Sequence, residues 1–366
     1  MKNWSTYIFL LVAGVLSLLT TSCSQDEEHL QKVIAGEGKT IIEFSIALGN
    51  TGSSSRATWN DTYSPDGTHI GEGIDNTIDL NKFFVNLKLS NSSIIPIRLI
   101  RMLNSSTDKV VYTFKGEVEV RSVQSLKNAR IEVYTNIGES QTSFSTNYTS
   151  YPETGVQYIP MWGVHTITDD NLLLVPSSTI QLNTPGTPVY LLRSMAKIEL
   201  TLKDVLVNEG YTINGVTINN YNSIGNLLPT GEFGYTKQYN REDCINVSSA
   251  QYSDDGLAFY KVSDNRFWIY VPEFLINTTA TDEIQANDDL QITLDLYKGN
   301  EKFPEERSTF SMFETSLVRN HWYKYTVISA DMDEEVNLEL KYQVIDWSQI
   351  VNESLNFGNG DGDVFN

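Results

Sequence analysis

The chain has little of the material from which disulfide frameworks and metal centres are built. Its 366 residues include two cysteines, Cys23 and Cys244, and four scattered histidines. A disulfide framework needs more cysteines, and the histidines lack the paired spacing on one helix that zinc sites use. We therefore expect a fold held together by its hydrophobic core, with no metal site and no bound cofactor.

Basic charge and catalytic motifs are also scarce. The chain has 26 Lys and Arg against 46 Asp and Glu, a formal net charge of −20, so nucleic acid is not an expected partner. No nucleophile elbow is present, and acidic pairs such as Glu305-Glu306 lie in polar stretches where solvated side chains are the ordinary outcome. We predict no catalytic residues and no enzyme activity.

The N-terminus has the pattern of an exported protein. One basic residue, Lys2, precedes an apolar run at residues 7–19, which is short for a membrane-spanning helix and typical of a secretory signal. The following Leu19-Thr20-Thr21-Ser22-Cys23 resembles a bacterial lipobox, in which the cysteine becomes the acylated first residue. We predict a signal peptide over residues 1–22 and lipidation of Cys23, which would hold the protein to a membrane. The alternative is an ordinary signal peptide with an incidental cysteine.

A strand followed by a cleavable loop comes next. Residues 41–48 read as a strand whose apolar side chains share one face; they are Ile42, Phe44, Ile46 and Leu48. A Gly/Ser/Thr-rich loop follows at residues 49–55 and ends at the Arg56-Ala57 bond, which suits an Arg-specific protease. We interpret residues 23–56 as a propeptide that carries a removable strand.

The remaining sequence indicates an all-β protein in two parts. Short apolar or alternating runs are separated by Asn, Ser, Thr, Asp and Gly clusters, and no long helical periodicity occurs. The predicted strands are residues 83–89, 97–102, 110–114, 118–123, 130–134, 196–202, 212–218, 267–271, 290–297, 322–328 and 336–344. Thr184-Pro185-Gly186-Thr187-Pro188 is the strongest boundary signal, so we predict domains at residues 57–187 and 188–348, followed by a tail at residues 349–366.

Five short segments carry motifs that occur in one order along the chain: Tyr158-Ile159-Pro160-Met161-Trp162-Gly163, Arg193-Ser194-Met195-Ala196-Lys197-Ile198, Tyr270-Val271-Pro272-Glu273, Arg319-Asn320-His321-Trp322-Tyr323, and Val344-Ile345-Asp346-Trp347. Together they resemble segments of the fimbrillins, the type V pilin superfamily of the Bacteroidetes outer membrane. The resemblance covers most of the chain.

The resemblance implies two tandem antiparallel β-sandwich domains, Greek-key-like in topology, in a lipoprotein precursor at the outer membrane. It also implies that an Arg-specific protease removes the N-terminal strand at the cell surface. A strand of another fimbrial subunit then fills the vacated groove, which builds a fimbrium used for adhesion. In this chain the natural donor is the tail, with apolar positions at Ile350, Val351, Leu355 and Phe357.

Other roles stay open from the sequence. A subunit with a weak donor tail could be a tip or minor subunit that mainly accepts strands. The chain could also remain uncut, as a fimbrial anchor or as an adhesin that binds a glycan or host ligand through exposed aromatic residues. An exported enzyme would require carboxylates that converge in one cleft.

Overall fold

The structure is a computed structural model. It describes residues 39–48, 73–105, 111–119, 126–139, 141–145, 158–168, 173–175, 179–229, 252–253, 256–275, 290–312, 316–331, 338–346 and 356–358.

Twelve of the described strands come from the first half of the chain: β1 (Lys39–Leu48), β2 (Thr77–Asp79), β3 (Phe83–Lys88), β4 (Ile94–Pro96), β5 (Arg98–Ser105), β6 (Val111–Glu119), β7 (Arg130–Thr135), β8 (Ser143–Ser145), β9 (Met161–Thr166), β10 (Leu173–Val175), β11 (Thr179–Gln181) and β12 (Val189–Arg193). Short 3-10 helices span Gly73–Asn76 and Leu80–Lys82.

The second half supplies the other described strands: β13 (Met195–Leu202), β14 (Tyr211–Asn219), β15 (Tyr221–Asn222), β16 (Ile224–Asn226), β17 (Tyr252–Ser253), β18 (Leu257–Ala258), β19 (Tyr260–Ser263), β20 (Arg266–Pro272), β21 (Phe274–Leu275), β22 (Gln291–Lys298), β23 (Glu301–Lys302), β24 (Thr309–Ser311), β25 (Ser316–Leu317), β26 (His321–Ala330), β27 (Leu338–Asp346) and β28 (Asn356–Gly358). The described residues of this half also form two short helices, α1 (Asp204–Asn208) and α2 (Glu305–Ser308).

The first domain is one ten-stranded sheet folded over its own core. Its main path runs β10-β11-β1-β12-β9-β7-β3-β4, and β6 and β5 extend it on the other side of β1. Phe114 of β6 stacks on Phe44 of β1 at 5.7 Å and also meets Phe83 of β3 at 5.0 Å between ring centroids. Because β3 and β6 are not paired, that second contact joins two facing parts of the sheet across the core.

The second domain is a β-sandwich. One five-stranded sheet has the order β19-β20-β13-β26-β27, and the other has the order β18-β14-β22-β23 with β24 beside β22. Both sheets contribute fully buried side chains to one core, such as Leu200 and Tyr325 from the first and Ile218 and Leu296 from the second. The alternation that predicted these strands is the pattern of sheets with one buried face.

The all-β prediction is confirmed, and the structure differs from the sequence interpretation in detail. The two strands predicted at residues 110–114 and 118–123 form the single strand β6, since the chain stays extended through Gly116. A Cβ on that glycine would lie 2.6 Å from Ile97 Cγ2, so glycine there permits a close approach. Parallel pairing also occurs, where β1 meets β11 and β12 and where β13 meets β26.

The chain passes from the first sheet to the second at Ser194, whereas the sequence signal lies at residues 184–188. β12 still pairs with β1 and β9 of the first sheet, and β13 pairs with β20 and β26 of the second. The Pro/Gly segment instead forms a turn between β11 and β12, both of which lie along β1.

We expect Phe44→Ala to lower the free energy of unfolding of the uncut chain by about 3–5 kcal/mol, because Phe44 is fully buried in the first core. Urea denaturation followed by tryptophan fluorescence measures this loss. Ile94→Ala is the matched control, since Ile94 is 59% exposed. Equal effects of the two substitutions would show that β1 does not belong to the core.

Candidate functional site

The first strand occupies a slot with a partner strand along each of its edges. On one side β1 pairs antiparallel with β6 from Lys39↔Glu119 to Ala47↔Val111. On the other side it pairs in parallel with β11 at residues 41–43 and with β12 at residues 46–48. Loss of β1 would expose the edges of three strands at once, and an unpaired edge is a template for another strand.

One face of β1 lies in the core of the first domain. Ile42, Phe44 and Ile46 are fully buried there, and Leu48 is partly buried and packs against the same core. The four side chains that the sequence assigns to a removable strand are thus brought together on the buried face.

The other face of β1 is also enclosed near its C-terminal end. Ser45 has no exposed surface and Ala47 retains 2%. The Ser45 hydroxyl lies 3.0 Å from the hydroxyl of Thr113, its cross-strand neighbour on β6. Ser45 and Ala47 are small residues, and a larger side chain at either position would require the surrounding residues to move.

Asn183 fills the gap between β11 and β12. The chain turns there at residues 184–187, where the amide of Thr187 donates to the carbonyl of Thr184 at 2.9 Å. The fully buried Asn183 side chain accepts from the amide of Ser45 at 2.7 Å and donates from Nδ2 to the carbonyl of Ser45 at 3.0 Å. The side-chain amide therefore makes the two bonds that a neighbouring strand would otherwise make to β1.

The motif segments meet where the two domains contact each other. At the centre is Asp75, a fully buried residue of the first 3-10 helix. Its carboxylate accepts from Lys197 Nζ of β13 at 2.9 Å and from the hydroxyl of Tyr270 of β20. Lys197 Nζ also lies 4.1 Å from the ring centroid of Trp268 and 4.8 Å from that of Trp322. A buried ammonium is thus neutralised by one carboxylate and surrounded by aromatic faces.

Arg193 connects the same helix to the second domain. Its Nε donates to the carbonyl of Asp75 at 2.9 Å, and Nη2 donates to Oδ1 of Asn76. Its Nη1 donates to Oδ1 of Asn320 at 2.8 Å. One planar guanidinium therefore contacts the segment that precedes β2 and the turn that precedes β26.

A second buried arginine secures the segment after β16. Arg319 forms an ion pair with Glu273 at 2.7 Å. Its guanidinium also donates to the carbonyls of Asn226, Leu227 and Leu228 at 2.6–2.9 Å. Because Leu227 belongs to a cluster that includes Trp162 of the first domain, this arginine also supports the contact between the domains.

The motif glycine of β9 has a packing role at the same junction. A Cβ on Gly163 would lie 2.4 Å from the carbonyl oxygen of Tyr190 on β12. Glycine is therefore the residue that lets β9 and β12 approach each other, next to the point where the chain changes sheet.

Comparison with known proteins gives structural neighbours only. No known family matches the sequence, and no curated protein matches it. The fold is similar to that of the tip fimbrial protein Mfa3 from Porphyromonas gingivalis with C-terminal truncation (14% identity, 84% of this chain and 100% of that chain, TM-score 0.49). It is also similar to a putative cell adhesion protein from Parabacteroides distasonis (15%, 84% and 96%, 0.43) and to a fimbrilin, FimA, from P. gingivalis (14%, 84% and 97%, 0.40).

These neighbours are fimbrial and cell adhesion proteins of Bacteroidetes.

The other predicted site residues fall into two groups. Cys23, Arg56, Ala57, Ile350, Val351 and Leu355 lie outside the described residues. Phe357 belongs to β28, which pairs in parallel with β2 through Ile78↔Phe357. β28, the last described strand of the tail, therefore lies beside β2, which follows Asp75 in sequence. It does not pair with β1.

The described part of the chain offers no cluster suited to metal chemistry, since no group of three or more His, Cys, Asp or Glu residues there could hold an ion.

His321 is buried, with Nδ1 2.9 Å from the carbonyl of Arg319. Burial lowers the pKa of His165. Among the described residues no helix has the length and apolarity needed to cross a membrane.

Sequence reasoning missed Asp75 and Asn183. Asp75 lies in a Gly/Asp/Asn-rich stretch, whose composition is typical of an exposed loop. Lys197 carried the available signal, because a lysine between apolar residues of a strand requires a buried anionic partner. Asn183 had no signal, since its role depends on which strand lies opposite.

We expect Asp75→Asn to lower the free energy of unfolding by about 3–5 kcal/mol, because it leaves the ammonium of Lys197 buried without its counter-charge. Chemical denaturation measures the loss. Asp264→Asn is the matched control: it removes the partner of an exposed lysine, Lys261, at 2.9 Å and should leave stability unchanged. A stable Asp75→Asn protein would contradict a central role for this pair.

Proposed function

We propose that the chain is a structural subunit of surface fimbriae that serve adhesion. It is exported as a lipoprotein through Cys23, cut after Arg56 and polymerised by donor-strand exchange. The observation that carries the proposal is the position of β1. It is an enclosed central strand, and residues 49–72 separate it in sequence from every other described strand. A single cut at Arg56-Ala57 would therefore free β1 from covalent attachment to the remaining sheet.

The apolar burial and the hydrogen bonding of β1 favour its exchange for another strand over its simple loss. Burial of its four apolar side chains contributes about 6–12 kcal/mol as an upper bound, and ladder hydrogen bonds along both edges add to this. A cut strand would stay in place until another strand of similar pattern displaces it. This favours exchange between subunits and disfavours a stable empty slot.

The expected partners follow from this mechanism. They are other fimbrial subunits that provide or accept strands, an Arg-specific protease, and the outer membrane that holds the lipidated precursor. The tail at residues 349–366, with Ile350, Val351, Leu355 and Phe357, is the donor segment of this chain if the subunit donates at all.

A second candidate function is an uncut surface lipoprotein that serves as a fimbrial anchor or as a glycan-binding adhesin. The pairing of β1 in the uncut chain favours it, because the edges of β6, β11 and β12 along β1 are already paired without a second subunit. Retention of residues 24–56 in protein recovered from fimbriae distinguishes this function from the proposed one.

We expect Arg56→Ala to abolish processing and polymer formation, because the protease loses the side chain that it recognises. N-terminal sequencing and gel analysis of protein sheared from cells measure both effects. Arg98→Ala, at an exposed position of β5, is the control and should polymerise normally. Polymers formed by uncut Arg56→Ala protein would refute the mechanism.

A disulfide between β1 and β6 should separate cutting from strand exchange. The amide and carbonyl of Ser45 both bond to Asn183 and not to β6, so Ser45 and Thr113 form a non-hydrogen-bonded pair, in which side chains lie closest. We expect the double substitution Ser45→Cys/Thr113→Cys to be cut after Arg56 but to polymerise only after reduction. Ser45→Cys alone is the control. Polymerisation of the oxidised double variant would mean that β1 need not leave.

A further inference from the structure

We propose that the slot of β1 selects the strand that replaces it. In this selection Asn183 anchors the main chain of the strand, two buried positions that admit only small side chains set its register, and the occupant is a strand of a different subunit. The inference rests on the proposed function and specifies the partner that the same site accepts.

The contact made by Asn183 is independent of the side chains of the bound strand. Its amide oxygen and nitrogen bond to the main-chain N–H and C=O of Ser45, groups that nearly every residue presents. The bonds are fully buried, so a strand shifted by one residue would lose both bonds and turn its apolar face outward. A shift by two residues would keep both the faces and the two bonds, because an equivalent main-chain unit would come opposite Asn183. When that shift brings Glu43 to the fully buried position of Ser45, the carboxylate side chain excludes it.

Side-chain size restricts the same part of the slot. Ser45 and Ala47 are buried on the face opposite the core, and Ile42, Phe44 and Ile46 fill the core face. A replacement strand therefore needs large apolar residues at the positions of Ile42, Phe44 and Ile46. It needs small residues at the positions of Ser45 and Ala47.

The tail of this chain does not meet the requirement. With Leu355 and Phe357 at the positions of Ile42 and Phe44, Gly358 and Gly360 supply the two small positions. Asn359 then falls at the position of Ile46 and would bury a polar amide in the core. No other alignment of residues 349–366 places three apolar side chains at the alternate core positions. The donor is therefore a strand of another subunit type, and the tail of a second copy is excluded by one residue.

Labelled peptides added to the full chain after it has been cut at Arg56 provide the test. The β1 peptide 39–48 should displace the resident strand, and its Ser45→Leu and Ala47→Leu versions should bind at least about tenfold more weakly, as expected for overpacking. The tail peptide 349–366 should not bind, whereas its Asn359→Ile version should. Fluorescence anisotropy measures binding.

Register is measured by disulfide trapping. In a Thr113→Cys chain, only a β1 peptide with cysteine at the position of Ser45 should cross-link, and peptides with cysteine at the positions of Glu43 or Ala47 should not. Asn183→Leu should release the β1 peptide about 10- to 100-fold faster, as the loss of two buried hydrogen bonds implies, and should leave the cross-linking pattern of the three peptides unchanged. Thr184→Ala is the control, because Thr184 is partly exposed in the adjacent turn and its hydroxyl contacts that of Thr187.

The possible results separate the two levels of the proposal. Peptide entry without dependence on Asn183 or on side-chain size would overturn the selection and leave strand exchange standing. Binding of the unmodified tail peptide would overturn the choice of partner and favour a homopolymer. If even the β1 peptide fails to enter the cut chain, both the exchange mechanism and the selection are wrong.

Discussion

The first domain depends on one strand, β1, which is paired along both edges and has buried residues on both faces. β1 receives main-chain bonds from β6 on one side and from β11, Asn183 and β12 on the other. Its apolar face completes the core and its opposite face is covered near Ser45 and Ala47. If the chain were cut after Arg56, as proposed, this strand would be held by non-covalent contacts alone.

The contact between the domains uses a different kind of interaction. Asp75, Lys197, Arg193 and Arg319 are buried charges that neutralise one another or bond to main-chain carbonyls. Such groups are costly when they are buried without a partner, so an arrangement that moved Asp75 away from Lys197 within the junction would leave buried charges unpaired. Since Asp75 follows β1 in sequence and lies in the junction, the start of the remaining sheet would stay fixed during the proposed exchange of β1.

The motif residues that suggested a family resemblance have a structural explanation at this junction. Gly163 permits the close approach of β9 to β12, Arg193 and Lys197 bind the helix that contains Asp75, and Arg319 holds residues 226–228. They therefore preserve the arrangement of two domains, whereas the proposed function depends on the slot of β1, which the motifs do not include. Similarity in these segments therefore bears on the arrangement of the domains and not on strand exchange in the slot.

The sequence by itself determined the all-β class, the buried face of β1 and most strand positions, because alternation with a period of two reflects local burial. The predictions of export and of cleavage after Arg56 also come from the sequence alone. The tertiary structure decided what lies beside each strand: the Pro/Gly segment at residues 184–188 does interrupt a strand, yet the chain resumes in the same sheet. The contact of Asn183 with Ser45 joins residues 138 positions apart, and the pair of Asp75 with Lys197 joins residues 122 positions apart. Packing of the whole chain sets such neighbours, so no local pattern could reveal them.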